Sequence, residues 1–214
     1  MSLTREYWDI NYSDPSSMDC IGNAKEHSKY LKAFFKLELI DISSIVDLGF
    51  GYGYLFQQVM KEFIPYKACG IEPSSYAFNK ARGRKLKPVE STKLELKNIS
   101  IENWAKEKDS NKNRFDLGIC TSVFQYLSKD ELERLVPVIS RRVKYLYLTV
   151  PTDKELARQV EDLDFNDTYA KKRTRAFYKK ILSKNFTNIS SKIWESKFYF
   201  DEDSTLFTDL LYRN

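Results

Sequence analysis

Ser44-Ile45-Val46-Asp47-Leu48-Gly49-Phe50-Gly51-Tyr52-Gly53-Tyr54-Leu55 is the stretch on which the reading of this chain turns. Its apolar pair Ile45-Val46 reads as part of a buried parallel strand. Three glycines then stand at every second position, after which Leu55, Phe56, Val59, Met60 and Phe63 recur at helical spacing. The pattern predicts strand, tight turn, helix. Glycine suits such a turn because positive φ costs it nothing and because a ligand can approach the backbone more closely than a Cβ allows. The helix amino terminus behind the turn offers unpaired N–H groups and partial positive charge, suited to a carboxylate or a phosphate. In the dinucleotide fingerprint G-x-G-x-x-G the third glycine would fall at position 54, where this chain has Tyr54. No Gly-Lys-Ser/Thr follows, which excludes a phosphate-binding P-loop. An acidic residue, Asp47, stands two before the first glycine.

The 214 residues fit one domain of ordinary size, without repeats or a linker. A 42% hydrophobic and 14% aromatic content is ample for a packed core and excludes a disordered or fibrous chain. No apolar run approaches the about 20 residues that span a bilayer. The N-terminus, with Arg5, Glu6 and Asp9 among its aromatics, lacks a signal-peptide core. Cys20, Cys69 and Cys120 lie far apart without metal-ligand spacing, and His27 is the single histidine, so no metal site is expected. Buried thiols in a reducing compartment, and hence a soluble cytoplasmic protein without membrane contact, are the expectation. A net charge of +5 from 35 basic and 30 acidic residues describes a solvated surface rather than a nucleic-acid footprint. The basic groups around Lys80–Lys87, Arg141–Lys144 and Lys171–Arg173 read as solvated faces and loops.

Before the glycine turn, Tyr7-Trp8-Asp9-x-x-Tyr12 precedes a turn-prone Ser13-Asp14-Pro15-Ser16-Ser17. A helix follows with Tyr30, Leu31, Phe34 and Phe35 on one stripe, and His27 one turn earlier shares it. His27 is then a core-edge histidine or a base facing a substrate. After the turn, Tyr66–Glu72 reads as a second strand, with Glu72 at its carboxyl end. Doubly wound folds place a ribose-binding acid there, because a carboxylate accepts from both vicinal hydroxyls. Lys93–Lys97 is the third strand, leading to Asn98-Ile99-Ser100 and a short helix covered by Ile101 and Trp104. Arg114–Cys120 is the fourth, and Cys120-Thr121-Ser122-Val123-Phe124 leaves it at the carboxyl edge, where open α/β sheets bind ligands. Ser128-x-x-Glu131 and Thr152-x-x-Glu155 are capping boxes for two helices, the first carrying Leu132, Leu135, Val136 and Ile139. Tyr145–Val150 lies between them as a fifth strand. Glu161–Tyr169 is an acidic connection, followed by a helix with Phe177, Tyr178, Ile181 and Leu182. Two last strands are expected near Asn188–Trp194 and Thr205–Tyr212.

Asp47-x-Gly49-x-Gly51-x-Gly53 resembles the first motif of the class I S-adenosylmethionine-dependent methyltransferases, and Gly70-Ile71-Glu72-Pro73-Ser74 with Ala77 and Ala81-Arg82 is similar to their second. The run from Cys120 through Gln125-Tyr126-Leu127 looks like the fourth motif in its small-molecule form: neither Asn/Asp-Pro-Pro-Tyr/Phe nor a Pro-Cys nucleophile is present. The Tyr7-Trp8 segment looks like the leader that can close over the cofactor as a lid, although simple packing of an N-terminal arm explains it equally. The resemblance implies a Rossmann-like, doubly wound, mostly parallel α/β sheet of seven strands with a reversed final strand. It implies a single domain, with residues 1–42 as N-terminal lid and helix and 43–214 as core. It further implies S-adenosyl-L-methionine as cofactor: Gly49, Gly51 and Gly53 against its methionine part, Asp47 on its ammonium, Glu72 on its ribose, Asn98 and Ile99 at its adenine. Asn98 replaces the commoner Asp. Cys120 and Thr121 line the methionine end through their backbone, and Phe124 walls the methyl side. The transfer needs no obligatory base, so Tyr12, His27, Tyr126 and Tyr169 are only candidates for a catalytic role. A small-molecule acceptor is preferred, with RNA or protein left open; the acceptor's identity and the oligomeric state are not legible. Two rivals stand beside this reading, a nicotinamide-dependent dehydrogenase and a domain that binds the cofactor or a partner without transferring methyl.

Overall fold

A computed structural model describes residues 3–12, 18–84, 86–108, 110 and 113–207. The turn expected at Ser13–Ser17, most of the loop at 109–113 and the distal part of the expected last strand, 208–212, lie outside these. Seven strands form one sheet in the order β3-β2-β1-β4-β5-β7-β6. They are β1 (Ser44–Leu48), β2 (Lys67–Ile71), β3 (Lys93–Lys97), β4 (Phe115–Thr121), β5 (Val143–Thr149), β6 (Phe186–Asn188) and β7 (Ile193–Ser196). The helices are α1 (Arg5–Asn11), α2 (Ala24–Leu37), α3 (Tyr54–Phe63), α4 (Ser75–Gly83), α5 (Ile101–Lys106), α6 (Lys129–Arg142), α7 (Asp153–Leu163) and α8 (Arg175–Leu182). The α/β, seven-stranded expectation holds. By contact density the chain divides into two compact units, 1–107 with 115–119 and 108–114 with 120–214.

In the first unit β1 pairs in parallel with β2 and with β4, and β2 with β3. β1 is buried at four successive positions, which is why its sequence does not alternate. Gly70 in β2 is a packing glycine. A Cβ there would stand 2.8 Å from Phe50, 2.8 Å from Phe56 and 2.9 Å from Leu96. α2 packs on α3 and buries a stripe of Ala24, His27, Ser28, Leu31 and Phe35. Tyr30, expected on that stripe, is exposed instead, because it lies one residue off the 3.6-residue repeat that Leu31 and Phe35 define. α1 was not expected as a helix; Thr4 caps it by accepting from the Tyr7 N–H, and Tyr7 and Trp8 are buried.

In the second unit both capping boxes are realised. Ser128 accepts from the Glu131 N–H at 3.1 Å while the Glu131 carboxylate accepts from Ser128 N–H. Thr152 and Glu155 do the same. The last strands differ from expectation. Residues 189–192 are not strand: the Asn188 side-chain amide donates to the Ser190 and Ile193 carbonyls and closes a hairpin turn there. β6 and β7 flank that turn and pair antiparallel, and β7 is also antiparallel to β5. The reversed strand is therefore β7. Thr205, expected to begin a strand, instead gives its hydroxyl to the buried Glu195 carboxylate.

Candidate functional site

The glycine turn leaves β1 and is tied to the end of β2 by its own backbone. Gly49 and Phe50 N–H both donate to the Ile71 carbonyl, at 2.9 and 3.1 Å. Gly51 and Gly53 have φ of +54° and +77°, conformations an L side chain rarely adopts. With Gly51 so placed, its N–H donates 2.9 Å to Glu72 Oε2, and the Ser74 N–H donates 2.8 Å to Oε1. The carboxylate has two further lone-pair positions for incoming hydroxyls. Glu72 is 4% exposed, and burial pushes it up to about 7 against the pull of its two N–H donors. Asp47, on β1 and 2% exposed, is raised well above the carboxylate range by burial and by neighbouring Glu72. Its Oδ1 is buried with no hydrogen-bond partner. A buried acceptor left open in this way costs free energy unless a donor arrives. A ligand ammonium fits both the charge and the missing bond.

Asn98 follows β3 and is held on both sides: its amide nitrogen donates 2.7 Å to the Glu72 carbonyl, and its oxygen accepts from the Ser75 hydroxyl at 2.7 Å. A carbonyl can only accept, which fixes the orientation of the amide. Asn98 thus anchors the Glu72 backbone, a role not legible from the motif. Ile99 beside it is half-buried.

α1 covers the turn with aromatic rings. Trp8 lies 4.6 Å from Tyr12 and 5.0 Å from Tyr52 between ring centroids. A Cβ on Gly51 would stand 3.3 Å from the Trp8 ring, so here a side chain of this chain itself uses the close approach. The Trp8 indole N–H is buried and has no partner. α1 is fastened to α4 by Tyr76, whose hydroxyl donates to Asp9, and by Arg5, which pairs with Asp9 at 3.2 Å and lies over the Tyr76 ring. Lys80 and Arg84 lie over the Tyr52 ring. Trp8 belongs to the quoted leader, but nothing in the sequence singled it out from its aromatic neighbours.

His27 is 9% exposed, and its Nε2 lies 2.8 Å from Asp19 Oδ1. In the second unit Cys120 is fully buried at the end of β4, Phe124 is buried and Thr121 half-buried. The segment after β4 is clasped by the connection that follows α7. The Tyr126 hydroxyl donates 2.7 Å to Asp167, whose other oxygen accepts from the Tyr169 N–H. Arg173 donates to the Phe124 and Leu127 carbonyls, at 3.4 and 2.7 Å, and the Lys171 N–H to the Gln125 carbonyl. Two candidates chosen separately, Tyr126 and Tyr169, thus share one acidic partner. Asp167 and Arg173 were not singled out, since nothing in the sequence pairs residues more than 40 apart.

Residues 45–145 match the family model described as a methyltransferase domain. No curated protein matches the sequence. Among solved structures, the chain resembles the small RNA methyltransferase HEN1 at 19% identity and TM-score 0.61, covering 81% of this chain but only 25% of that one. It resembles the plantazolicin methyltransferase BpumL, in a complex with SAH, at 13% identity and TM-score 0.65, covering 97% of this chain and 82% of that one. A third is an S-adenosylmethionine-dependent methyltransferase from Clostridium acetobutylicum ATCC 824, at 15% identity and TM-score 0.62, covering 89% and 96%. At these identities the structural likeness speaks for the fold.

Proposed function

We propose that the chain is a class I S-adenosylmethionine-dependent methyltransferase, that its acceptor is a small molecule, and that the glycine turn, Asp47 and Glu72 hold the cofactor; the methyltransferase-domain match over residues 45–145 supports this reading. The observation that carries the binding assignment is the pair of buried carboxylates at one turn, Glu72 gripped by the Gly51 and Ser74 N–H groups and Asp47 with an unpartnered Oδ1. Bound S-adenosylmethionine supplies a sulfonium methyl already activated for in-line displacement.

This chain's own residues then bind, orient and exclude water. Asp47 accepts the ammonium, directly or through water, and Glu72 accepts the ribose hydroxyls. Gly49, Gly51 and Gly53 let the backbone approach the methionine part. Asn98 and Ile99 address adenine, with the second lone pair of the Asn98 oxygen as acceptor. Cys120 and Thr121, at the end of β4, line the methionine end, and Phe124 walls the methyl side. Residues 1–42 supply a lid and helix to a single methyltransferase domain; the aromatic cover of Trp8 and Tyr12 over Gly51 supports this role for α1. Of the four candidate catalytic groups, Tyr126 holds a carboxylate partner, which suits a positioned donor, whereas Tyr169 is exposed. Among the described residues no helix is long and apolar enough to cross a membrane, and three buried cysteine thiols, none in a disulfide, accord with a cytoplasmic setting.

A small acceptor is preferred because the net charge is modest. The test is incubation with isotopically labelled cofactor and a metabolite extract, followed by mass spectrometry. Label in a low-molecular-mass product is expected; label confined to RNA or protein fractions overturns the acceptor class. Tight cofactor binding without any labelled product would favour a domain that binds without transferring.

A further inference from the structure

Asp19, Cys20 and His27 form a cluster that the cofactor reading does not use. One ligand atom from each, a carboxylate oxygen, the thiol sulfur and a ring nitrogen, lies within 4.8 Å of the others, and this is the one such group among the described residues. We propose that these three side chains bind a divalent metal ion of the zinc class at the amino-terminal end of α2.

The spacing is already close to that of ligands. His27 Nε2 stands 2.8 Å from Asp19 Oδ1, and Cys20 Sγ 3.6 Å from Asp19 Oδ2. Donors around tetrahedral zinc are separated by about 3.3–3.7 Å, given its usual bond lengths. A modest widening of the His27–Asp19 pair admits the ion. The mixed set of sulfur, nitrogen and oxygen selects against calcium and magnesium, which take oxygen ligands, and for zinc or a neighbouring transition metal. Cys20 and His27 are buried while the Asp19 side chain is 56% exposed. Water therefore has access for the fourth position.

A supporting shell is also present. The Asn23 side chain donates 2.8 Å to Asp19 Oδ1 and accepts 2.7 Å from the Cys20 N–H. It thereby holds the two neighbours, with Cys20 at φ +65°, a conformation unusual for a non-glycine residue. Asn23 and His27 are one helical turn apart, joined by the His27 N–H to Asn23 carbonyl bond of 3.1 Å. On binding, the Cys20 thiol releases its proton to solvent and binds as thiolate, and His27 binds as neutral imidazole through Nε2. The separation of cysteines along the sequence concealed this arrangement, because only one cysteine takes part.

The experiment uses the full chain, stripped with a chelator and titrated with cobalt(II), then back-titrated with zinc(II). One cobalt per chain is expected, with thiolate-to-cobalt charge-transfer absorption and tetrahedral d–d bands that zinc abolishes. Cys20→Ser should remove the charge-transfer band, and Asn23→Ala should weaken binding by about tenfold as loss of a supporting partner does. Folding of each variant is followed by circular dichroism without metal. Absence of the charge-transfer band in the wild-type protein overturns the proposal whatever the variants do. So does a band that persists unchanged in Cys20→Ser. Neither result bears on cofactor binding.

Discussion

At the glycine turn, main-chain N–H groups donate and side-chain carboxylates accept; after β4 the polarity is reversed. Glu72 takes the Gly51 and Ser74 N–H groups, whereas Arg173 gives its guanidinium to the Phe124 and Leu127 carbonyls. The first arrangement needs glycines at fixed spacing and an acid at a strand end, all within the 28 residues from Asp47 to Ser74. The second needs a side chain 46 and 49 residues away from the carbonyls it meets. A site made from backbone donors is rigid and tolerant of its neighbours' identity. A clasp made from side-chain donors can be changed one residue at a time.

The largest effect expected from breaking this contrast is on the glycine side. Gly70→Ala drives a methyl into Phe50, Phe56 and Leu96 at 2.8–2.9 Å, and should cost about 3 kcal/mol of unfolding free energy in urea titrations, the upper end of overpacking. An unchanged midpoint would mean the first unit is looser than its contacts imply. Next is Glu72→Gln, which keeps the shape but removes the charge that receives hydroxyls. Cofactor affinity by calorimetry should fall about ten- to hundredfold, as for a charged hydrogen bond lost.

The same residue sharpens the comparison through pH. Glu72 is raised from 4.5 to about 7 by burial, so the folded chain keeps a proton that the unfolded chain has released. Its contribution to stability is full below 4.5 and is lost as pH rises through about 7. Asp47 shifts in the same direction. Cofactor affinity should run the opposite way, strengthening as Glu72 ionises near 7. Both slopes should flatten in Glu72→Gln; a binding profile that falls through that range would remove Glu72 from the ribose.

A smaller change is expected on the clasp side. Arg173→Ala should speed amide exchange in residues 124–127 by about fivefold, as loss of about 1 kcal/mol of hydrogen bonding does, and leave cofactor affinity unaltered. Coupled loss of cofactor binding would show that the two regions do not divide the work. The smallest effect belongs to Tyr76→Phe. It removes an exposed hydrogen bond to Asp9 and should leave the thermal midpoint where it is, because Trp8 and Tyr7 hold α1 by burial.

From the sequence alone, periodicity located β1, α3 and β3, and both capping boxes were legible as local pairs. The glycine spacing and the acid after β2 carried the family resemblance that implies the cofactor, and the backbone conformation at Gly51 and Gly53 is a local property that glycine permits. Tertiary structure alone decided that Trp8 packs on Gly51, that Asn98 anchors the Glu72 carbonyl, that Tyr126 and Tyr169 meet at Asp167, and that Asp19, Cys20 and His27 converge. It also decided that residues 189–192 turn rather than extend, through the side chain of Asn188. The contacts of Trp8, Asn98 and Tyr126 have partners set by the path of the chain in space, and no spacing along the sequence encodes that path.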